Sequence, residues 1–269
     1  MTRLREIYIT SKAFIFNLLI GLIPIILIWV LIKMVFKIQD ITIPWPNTVI
    51  KEIIHNWRQL LEETAHTMLW AIICFITSTF LGILLGIITH KSITFSKIVV
   101  PSIVISQVLP KAAMLPLLVI LFGYNPISKS IVATTIGFFP IYAATINALN
   151  SLPKEWVLFY LVSENKKLTF FFRIEFPFII TNSLSFFKTS LIYVVIGIIT
   201  AEVISAEKGI GTIISNAFYN NNAPIMYAAL FYSTFFGGVL LYLFELARIL
   251  VLPFNKWQIS TLYKDGSKF

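Results

Sequence analysis

Charged residues are scarce in this chain of 269 residues: aspartate, glutamate, lysine and arginine together make up only 12% of it. A typical soluble domain contains about 25% of these residues. Hydrophobic residues account for 58%, and phenylalanine alone occurs 24 times. Much of this apolar content is concentrated in runs that can supply the roughly 20 residues a membrane-spanning helix requires. The composition therefore excludes an ordinary soluble domain and predicts a polytopic membrane protein.

Residues that commonly bind metals or carry out catalysis are equally few. The single cysteine, Cys74, lies within an apolar run, where we expect a small buried side chain rather than a disulfide or a zinc ligand. The three histidines have no companion ligands at useful spacing, and Gly209-Ile210-Gly211 lacks the third glycine and the preceding strand of a dinucleotide-binding loop. With no Walker-type lysine motif and no catalytic triad pattern, we predict no metal, no cofactor and no enzymatic activity in this chain. Any ATP hydrolysis would belong to another subunit.

Six apolar segments are long enough to span a membrane, with the boundaries 13–36, 66–89, 98–122, 130–149, 178–205 and 224–252. The first starts too late and runs too long to be a cleaved signal peptide. Lipid cannot satisfy backbone hydrogen bonds, so each segment should be helical, and none shows the alternation of a barrel strand. The predicted fold class is therefore all-α, with six transmembrane helices.

Positive charge is distributed unevenly among the connections between these segments. Lysine and arginine are frequent in the N-terminal tail, in the loops after the second and fourth segments and in the C-terminal tail, which share one side if there are six spans. The positive-inside rule places that side, and both termini, in the cytoplasm. Lys129 and Lys208 are assigned to loops on the outer side. Topology thus explains the net charge of +9, and no basic helix or aromatic-basic platform indicates nucleic-acid binding.

Two connections are longer than a simple turn. The outer one, residues 37–64, contains the turn signal Pro44-Trp45-Pro46-Asn47 and then a predicted amphipathic helix over 48–63. The cytoplasmic one, residues 150–177, has helical patterning but a polar centre. This pattern favours a helical elbow that does not cross the membrane.

Ionisable residues inside apolar segments are costly and suggest function. Lys111 lies between Pro110 and Pro116, which should break the third helix and leave irregular backbone beside protein or water. Lys111 could there meet an anionic substrate, or it could snorkel to the surface or pair with an acid. Glu202 could face a pathway or neutralise a lysine on another helix. The predicted substrate-pathway residues are Gln107, Pro110, Lys111, Met114 and Glu202.

Several short stretches, in order and at matching spacing, resemble one family of membrane proteins. They are Pro44-Trp45-Pro46, the proline-bounded segment 110–118, Phe122-Gly123, Phe138-Phe139-Pro140, the segment 171–177, Ala201-Glu202 and Gly209-Ile210-Gly211. Together they make residues 45–257 similar to the membrane permease subunits of bacterial binding-protein-dependent ABC importers. The similarity is greatest to the nitrate, sulfonate and taurine group.

The resemblance implies a type I importer permease (MetI-like) fold in the bacterial inner membrane, with a core over 61–257, a preceding part over 1–60 and a cytoplasmic tail over 258–269. It also implies a second permease subunit, as a homodimer or a pair with a related chain, two copies of an ABC ATPase subunit and an extracytoplasmic solute-binding protein. The ATPase subunits would grip the cytoplasmic connection, at Glu155, Tyr160, Glu164, Lys166, Lys167, Arg173 and Pro177. Solutes handled by the family include nitrate, alkyl sulfonates, taurine, bicarbonate and vitamin precursors, and Lys111 and the basic balance favour an anion.

The cytoplasmic connection departs from the family pattern in one respect. Members of the family usually have Glu-Ala-Ala and then a glycine thirteen residues before the closing proline. Here Leu158-Phe159-Tyr160 and Glu164 occupy those positions. Bulky residues imply an altered elbow and favour one alternative, a degenerate membrane scaffold that transports nothing. A second alternative also stays open, a secondary transporter that needs no ATPase, since broken helices such as the third are common in that class.

Overall fold

The computed structural model describes residues 20–21, 23–156, 158, 167–205 and 207–251. Every regular element in these ranges is helical, which confirms the all-α prediction. The α-helices are α1 (Ile23–Phe36), α2 (Pro46–His55), α3 (Trp57–Lys91), α4 (Ile93–Val108), α5 (Leu115–Phe122), α6 (Pro126–Asn150), α7 (Lys167–Phe170), α8 (Phe176–Asn182), α9 (Leu184–Ser205), α10 (Ile210–Tyr219) and α11 (Ala223–Val251). A 3₁₀-helix, Lys111–Met114, precedes α5, and a π-helix, Phe171–Glu175, joins α7 to α8.

Helix α3 is longer than the apolar segment that predicts it. It has 35 residues and begins at Trp57 rather than His66, so it is roughly 52 Å long at 1.5 Å per residue, against about 30 Å for the hydrocarbon core. Its first turns are polar because they lie beyond the apolar run, where hydropathy gives no signal. The helix predicted over 48–63 is accordingly divided at Asn56 into α2 and the start of α3. The predicted division after residue 60 also falls inside α3.

The six predicted spans have counterparts among the described residues. Four of the helices there, α3, α6, α9 and α11, are long and apolar enough to cross a membrane. Helix α4 and the segment Lys111–Phe122 also qualify as a pair, but they are bent by 89° where Leu109 and Pro110 interrupt the helix. This bend confirms the predicted break at proline. The sixth counterpart is the shorter apolar helix α1.

Helices α3, α6 and α9 form the centre of the bundle. Small residues allow the close approach: a Cβ atom on Gly86 of α3 would lie 2.7 Å from Thr145 of α6, and one on Gly137 of α6 would lie 2.3 Å from Val194 of α9. Cys74 is fully buried between these helices, as predicted. The periphery is apolar instead of polar, with Ile120 83% exposed, as a surface facing lipid should be.

Candidate functional site

A buried ion pair joins α6 and α9. The Nζ atom of Lys129 lies 2.7 Å from Oε1 of Glu202, and the two residues are only 3% and 1% exposed. Glu202 therefore neutralises a lysine on another helix, which is one of the two roles predicted for it. The assignment of Lys129 to an outer loop is wrong. The side chain of Asn125 caps α6 by accepting a hydrogen bond from the N–H of Ile127, so Lys129 lies in the helix with its side chain in the interior.

The second carboxylate oxygen of Glu202 is bound by α3 and by the start of α10. Oε2 accepts hydrogen bonds from the hydroxyl of Thr67, at 2.7 Å, and from the backbone N–H of Gly211, at 3.2 Å. The N–H groups of the two preceding residues donate to Thr67 and to Glu63. Side chains thus satisfy the free N–H groups at the start of α10, where the helix dipole also favours carboxylates. We call Glu63, Thr67, Lys129, Glu202 and Gly209–Gly211 the Glu202 cluster.

Two glycines make room for the buried carboxylate. Gly209 has a φ angle of +124°, and a Cβ atom there would lie 2.1 Å from the carboxyl carbon of Glu202. A Cβ atom on Gly211 would lie 2.4 Å from Cβ of Glu202. Since no other residue fits at either position without displacement, Gly209-Ile210-Gly211 serves to enclose a carboxylate and not a phosphate.

The remaining predicted pathway residues lie together at the broken span. Lys111 is half-buried, and its Nζ atom donates to Oε1 of Gln107 at 2.9 Å. Pro110 and Met114 are exposed on the same segment. Within the part of the chain that the structure describes, no carboxylate pairs with Lys111. Among the described residues, the hydrogen bond given for this positive charge is therefore to an amide oxygen.

The broken span packs against the two helices that carry the Glu202 cluster. Leu115 and Leu118 of α5 pack against Val132 of α6 and Ala201 of α9, and Ala201 immediately precedes Glu202. Four of the five predicted pathway residues, Gln107, Pro110, Lys111 and Met114, thus lie together at the break. Glu202 lies on the far side of these apolar side chains, where both of its carboxylate oxygens have partners. Whether any of them contacts a solute stays a prediction.

The predicted coupling residues lie on the connection after α6. Glu155 is exposed beside Trp156, whose ring meets that of Phe178 at 6.0 Å and brings the two ends of the connection together. Arg173 is in the π-helix and Pro177 in the first turn of α8. The backbone of α7 begins at Lys167. The other three predicted residues, Tyr160, Glu164 and Lys166, lie outside the described residues.

One contact of this connection was not predicted. The Nζ atom of Lys91, the last residue of α3, lies 2.7 Å from Oε2 of Glu175 and 5.1 Å from the centre of the Phe171 ring. Glu175 is 8% exposed and ends the π-helix. The predicted topology places Lys91 and Glu175 on the same side of the membrane, but residues 84 apart in the sequence give no signal of their contact.

Two further ion pairs join residues that are close together in the sequence. Glu245 and Arg248 are three residues apart in α11, and Nη2 of Arg248 lies 2.5 Å from Oε1 of Glu245. Their spacing on one helix face predicts this pair. Lys33 of α1 is buried against Asp40, also at 2.5 Å, and its Nζ atom lies 5.1 Å from the centre of the Trp45 ring. This second contact fixes the turn before α2 to the end of α1.

Several apolar spans, one of them broken, around a buried polar cluster define a multi-pass membrane protein. The chain belongs to the family described as the binding-protein-dependent transport system inner membrane component, which matches residues 78–251, well over half of its length. It is therefore an ABC transporter permease of the inner membrane. The resemblance noted in the sequence is confirmed at the level of the family.

Individual relatives agree with this assignment. The chain is 26% identical over 210 residues to a probable ABC transporter permease protein of Haemophilus influenzae, covering 77% of this chain and 84% of the relative. It is 28% identical over 182 residues to the formylaminopyrimidine transport permease protein ThiX of Halalkalibacterium halodurans, covering 67% and 72%. It is 26% identical over 196 residues to the putative aliphatic sulfonates transport permease protein SsuC of Bacillus subtilis, covering 72% and 71%.

The fold is also found among solved structures. A chain of the MetNI methionine ABC transporter, in an inward-facing conformation, superimposes with a TM-score of 0.62 at 14% sequence identity, covering 72% of this chain and 97% of that one. At this identity the likeness shows the fold alone. The MetI-like permease fold is thereby confirmed.

Proposed function

We propose that this chain lines the translocation pathway of an importer for a small anionic solute, and that a separate ATPase subunit drives the transport. The observation that carries the proposal is the broken span with Lys111 at its turn. Irregular backbone at membrane depth is tolerated only where it is buried in protein or lines a water-filled cavity. Lys111 is half-buried there with an amide as its contact, so its charge is available to a passing anion.

The name of one relative supports an anionic solute, and the name of another points to the alternative class. The Bacillus subtilis relative is named for aliphatic sulfonates, which are anions at neutral pH, and the Halalkalibacterium halodurans relative is named for formylaminopyrimidine. A small anion of the nitrate, sulfonate or taurine type fits Lys111 best, and a vitamin precursor is the neighbouring possibility within the family. Gln107, Pro110, Met114 and Glu202 complete the proposed pathway, with Glu202 supporting the segment from behind.

The proposed assembly has two permease subunits, as a homodimer or a pair with a related chain, and two ATPase subunits. The ATPase subunits contact the connection 150–177, which would face the cytoplasm together with both termini. Support comes from the positive charge on that side and from the inward-facing transporter whose fold is shared. A solute-binding protein, which the family description names, would dock on the outer residues 37–64. ATP binding would favour one of two conformations of the bundle to the extent that ATP binds the complex with different affinity in the two states.

Uptake by a Lys111 variant tests the proposal. The complex is purified from its native membrane and reconstituted in vesicles with its binding protein. It should take up radiolabelled sulfonate or nitrate when ATP is present on the side of the membrane that carries the ATPase subunits. Lys111→Gln should lower anion uptake at least tenfold while Lys111→Arg retains most of it, because only the former removes the charge. Lys97→Gln, which removes an exposed lysine from α4, is the matched control and should have no effect. Equal uptake by Lys111→Gln and wild type would contradict the assignment of Lys111 to the pathway.

A further inference from the structure

Helix α3 contacts the connection 150–177 near its C-terminal end and the Glu202 cluster near its N-terminal end. At its C-terminal end, Lys91 binds Glu175 at 2.7 Å, with the Phe171 ring 5.1 Å from the same ammonium group. At its N-terminal end, Glu63 and Thr67 bind the backbone at the start of α10, and Thr67 also binds Glu202. These contacts join the end of the connection 150–177 to the Glu202 cluster.

The C-terminal attachment point is an unusual piece of backbone. Phe171–Glu175 is π-helical, and π-helical turns are rare and concentrate at functional sites. Phe171 also meets Phe176 of α8 at a ring distance of 6.0 Å. The turn therefore contacts Lys91 on one side and α8 on the other, so a shift of the connection would act on both α3 and α8.

The sequence of α3 makes it suited to carry such a shift. The helix runs from Trp57 to Lys91 with no proline, whereas its neighbours α4 and α6 contain Pro101 and Pro140. Proline removes a backbone hydrogen bond and kinks a helix, so the uninterrupted α3 is the stiffer element. Thr67 and Lys91 are 24 residues apart, which corresponds to about 36 Å along the helix.

We infer that α3 transmits displacement of the connection 150–177 to the Glu202 cluster, and that Lys91 and Glu175 are the positioning residues that attach it to that connection. The inference rests on the proposed function, since it assumes that an ATPase moves the connection. Their ion pair determines how much of the ATPase movement reaches the outer half of the bundle.

A charge swap tests the attachment. Lys91→Glu and Glu175→Lys each place like charges together, and the double variant restores an ion pair of reversed polarity. In the reconstituted complex we expect each single variant to lower the solute taken up per ATP hydrolysed by about fivefold, a common size for coupling between sites. The double variant should recover to within about twofold of wild type. If the pair only supports folding, the single variants lower protein yield and both rates in proportion and leave the ratio unchanged, which would overturn the inference.

A second comparison tests transmission along the helix. Thr67→Val removes the α3 contacts with Glu202 and Ile210, and Thr77→Val, at an exposed position ten residues further along α3, is its control. If α3 connects the Lys91–Glu175 pair to the Glu202 cluster, Thr67→Val as a single variant should lower the solute taken up per ATP hydrolysed. In a chain that already carries Lys91→Glu, the same substitution should lower this ratio little further. Independent ends would make the two fold-changes multiply, and the inference would then be wrong.

The two levels of failure can be separated. A wild-type complex that retains no ATPase subunit, or that hydrolyses ATP without uptake, would overturn the proposed function and this inference together. A wild-type complex that couples ATP to uptake, with all of these variants at the wild-type ratio, would overturn this inference alone.

Discussion

Replacing Lys129 by methionine should destabilise the protein strongly, although methionine has a similar volume and is apolar. The carboxylate of Glu202 would lose its only cationic partner among the described residues while its side chain remains inaccessible to water. Charges are costly to bury unless they are paired, so the substitution leaves the carboxylate with an uncompensated desolvation penalty.

The loss of stability in Lys129→Met can be estimated from the contacts that Glu202 loses and keeps. Removing one partner of a buried pair costs about 3–5 kcal/mol. Glu202 would keep the hydrogen bonds from Thr67 and Gly211, so we expect the lower end of that range, about 3 kcal/mol. For a chain of this size, 1 kcal/mol lowers Tm by about 2–4 °C, so Lys129→Met should lower Tm by roughly 6–12 °C.

The assay is thermal unfolding of the purified protein in detergent. Lys97→Met, which replaces an exposed lysine, is the control and should shift Tm by less than about 2 °C. The double variant Lys129→Met with Glu202→Gln should recover much of the loss, because it leaves no unpaired charge while the glutamine oxygen can still accept hydrogen bonds. The reasoning is refuted if Lys129→Met behaves like the control, or if the double variant loses the sum of the two single losses.

Two further substitutions test the packing. Gly209→Ala should lower the yield of folded protein and cost several kcal/mol, because its Cβ atom would lie 2.1 Å from the Glu202 carboxyl at a φ of +124°; a normal yield and an unchanged Tm would show that the cluster is looser than described. Gly86→Leu should lower Tm by at least about 5 °C, because α3 and α6 would have to separate at Thr145, and an unchanged Tm in detergent would contradict the close contact of these helices.

The spans and the break in the third one could be predicted because their causes are local in the sequence. Apolar runs longer than about 20 residues have few alternatives to a membrane helix. Proline lacks the N–H that a helix needs, so Pro110 identifies the break without any tertiary information. The same holds for Glu245 and Arg248, whose spacing alone brings them onto one helix face.

Contacts between distant residues could not be predicted in this way. Lys129 is 73 residues from Glu202, and its position beside an outer loop gives no sign that the side chain turns inward. The amphipathic pattern predicts helix over 57–63 but not its continuation into the span that begins at residue 66, because hydropathy detects only the part of a helix that lies in lipid. Nothing local in the sequence indicates that Gly209 and Gly211 both lie directly against Glu202.

The most direct test of the central claim is uptake by the reconstituted complex under two driving forces. ATP supplied on the side of the connection 150–177, with the binding protein on the other side, should drive accumulation of the solute against its gradient. A proton or sodium gradient without ATP should drive none. Accumulation driven by an ion gradient in the absence of ATP would contradict the assignment of this chain as the permease of an ATP-driven importer.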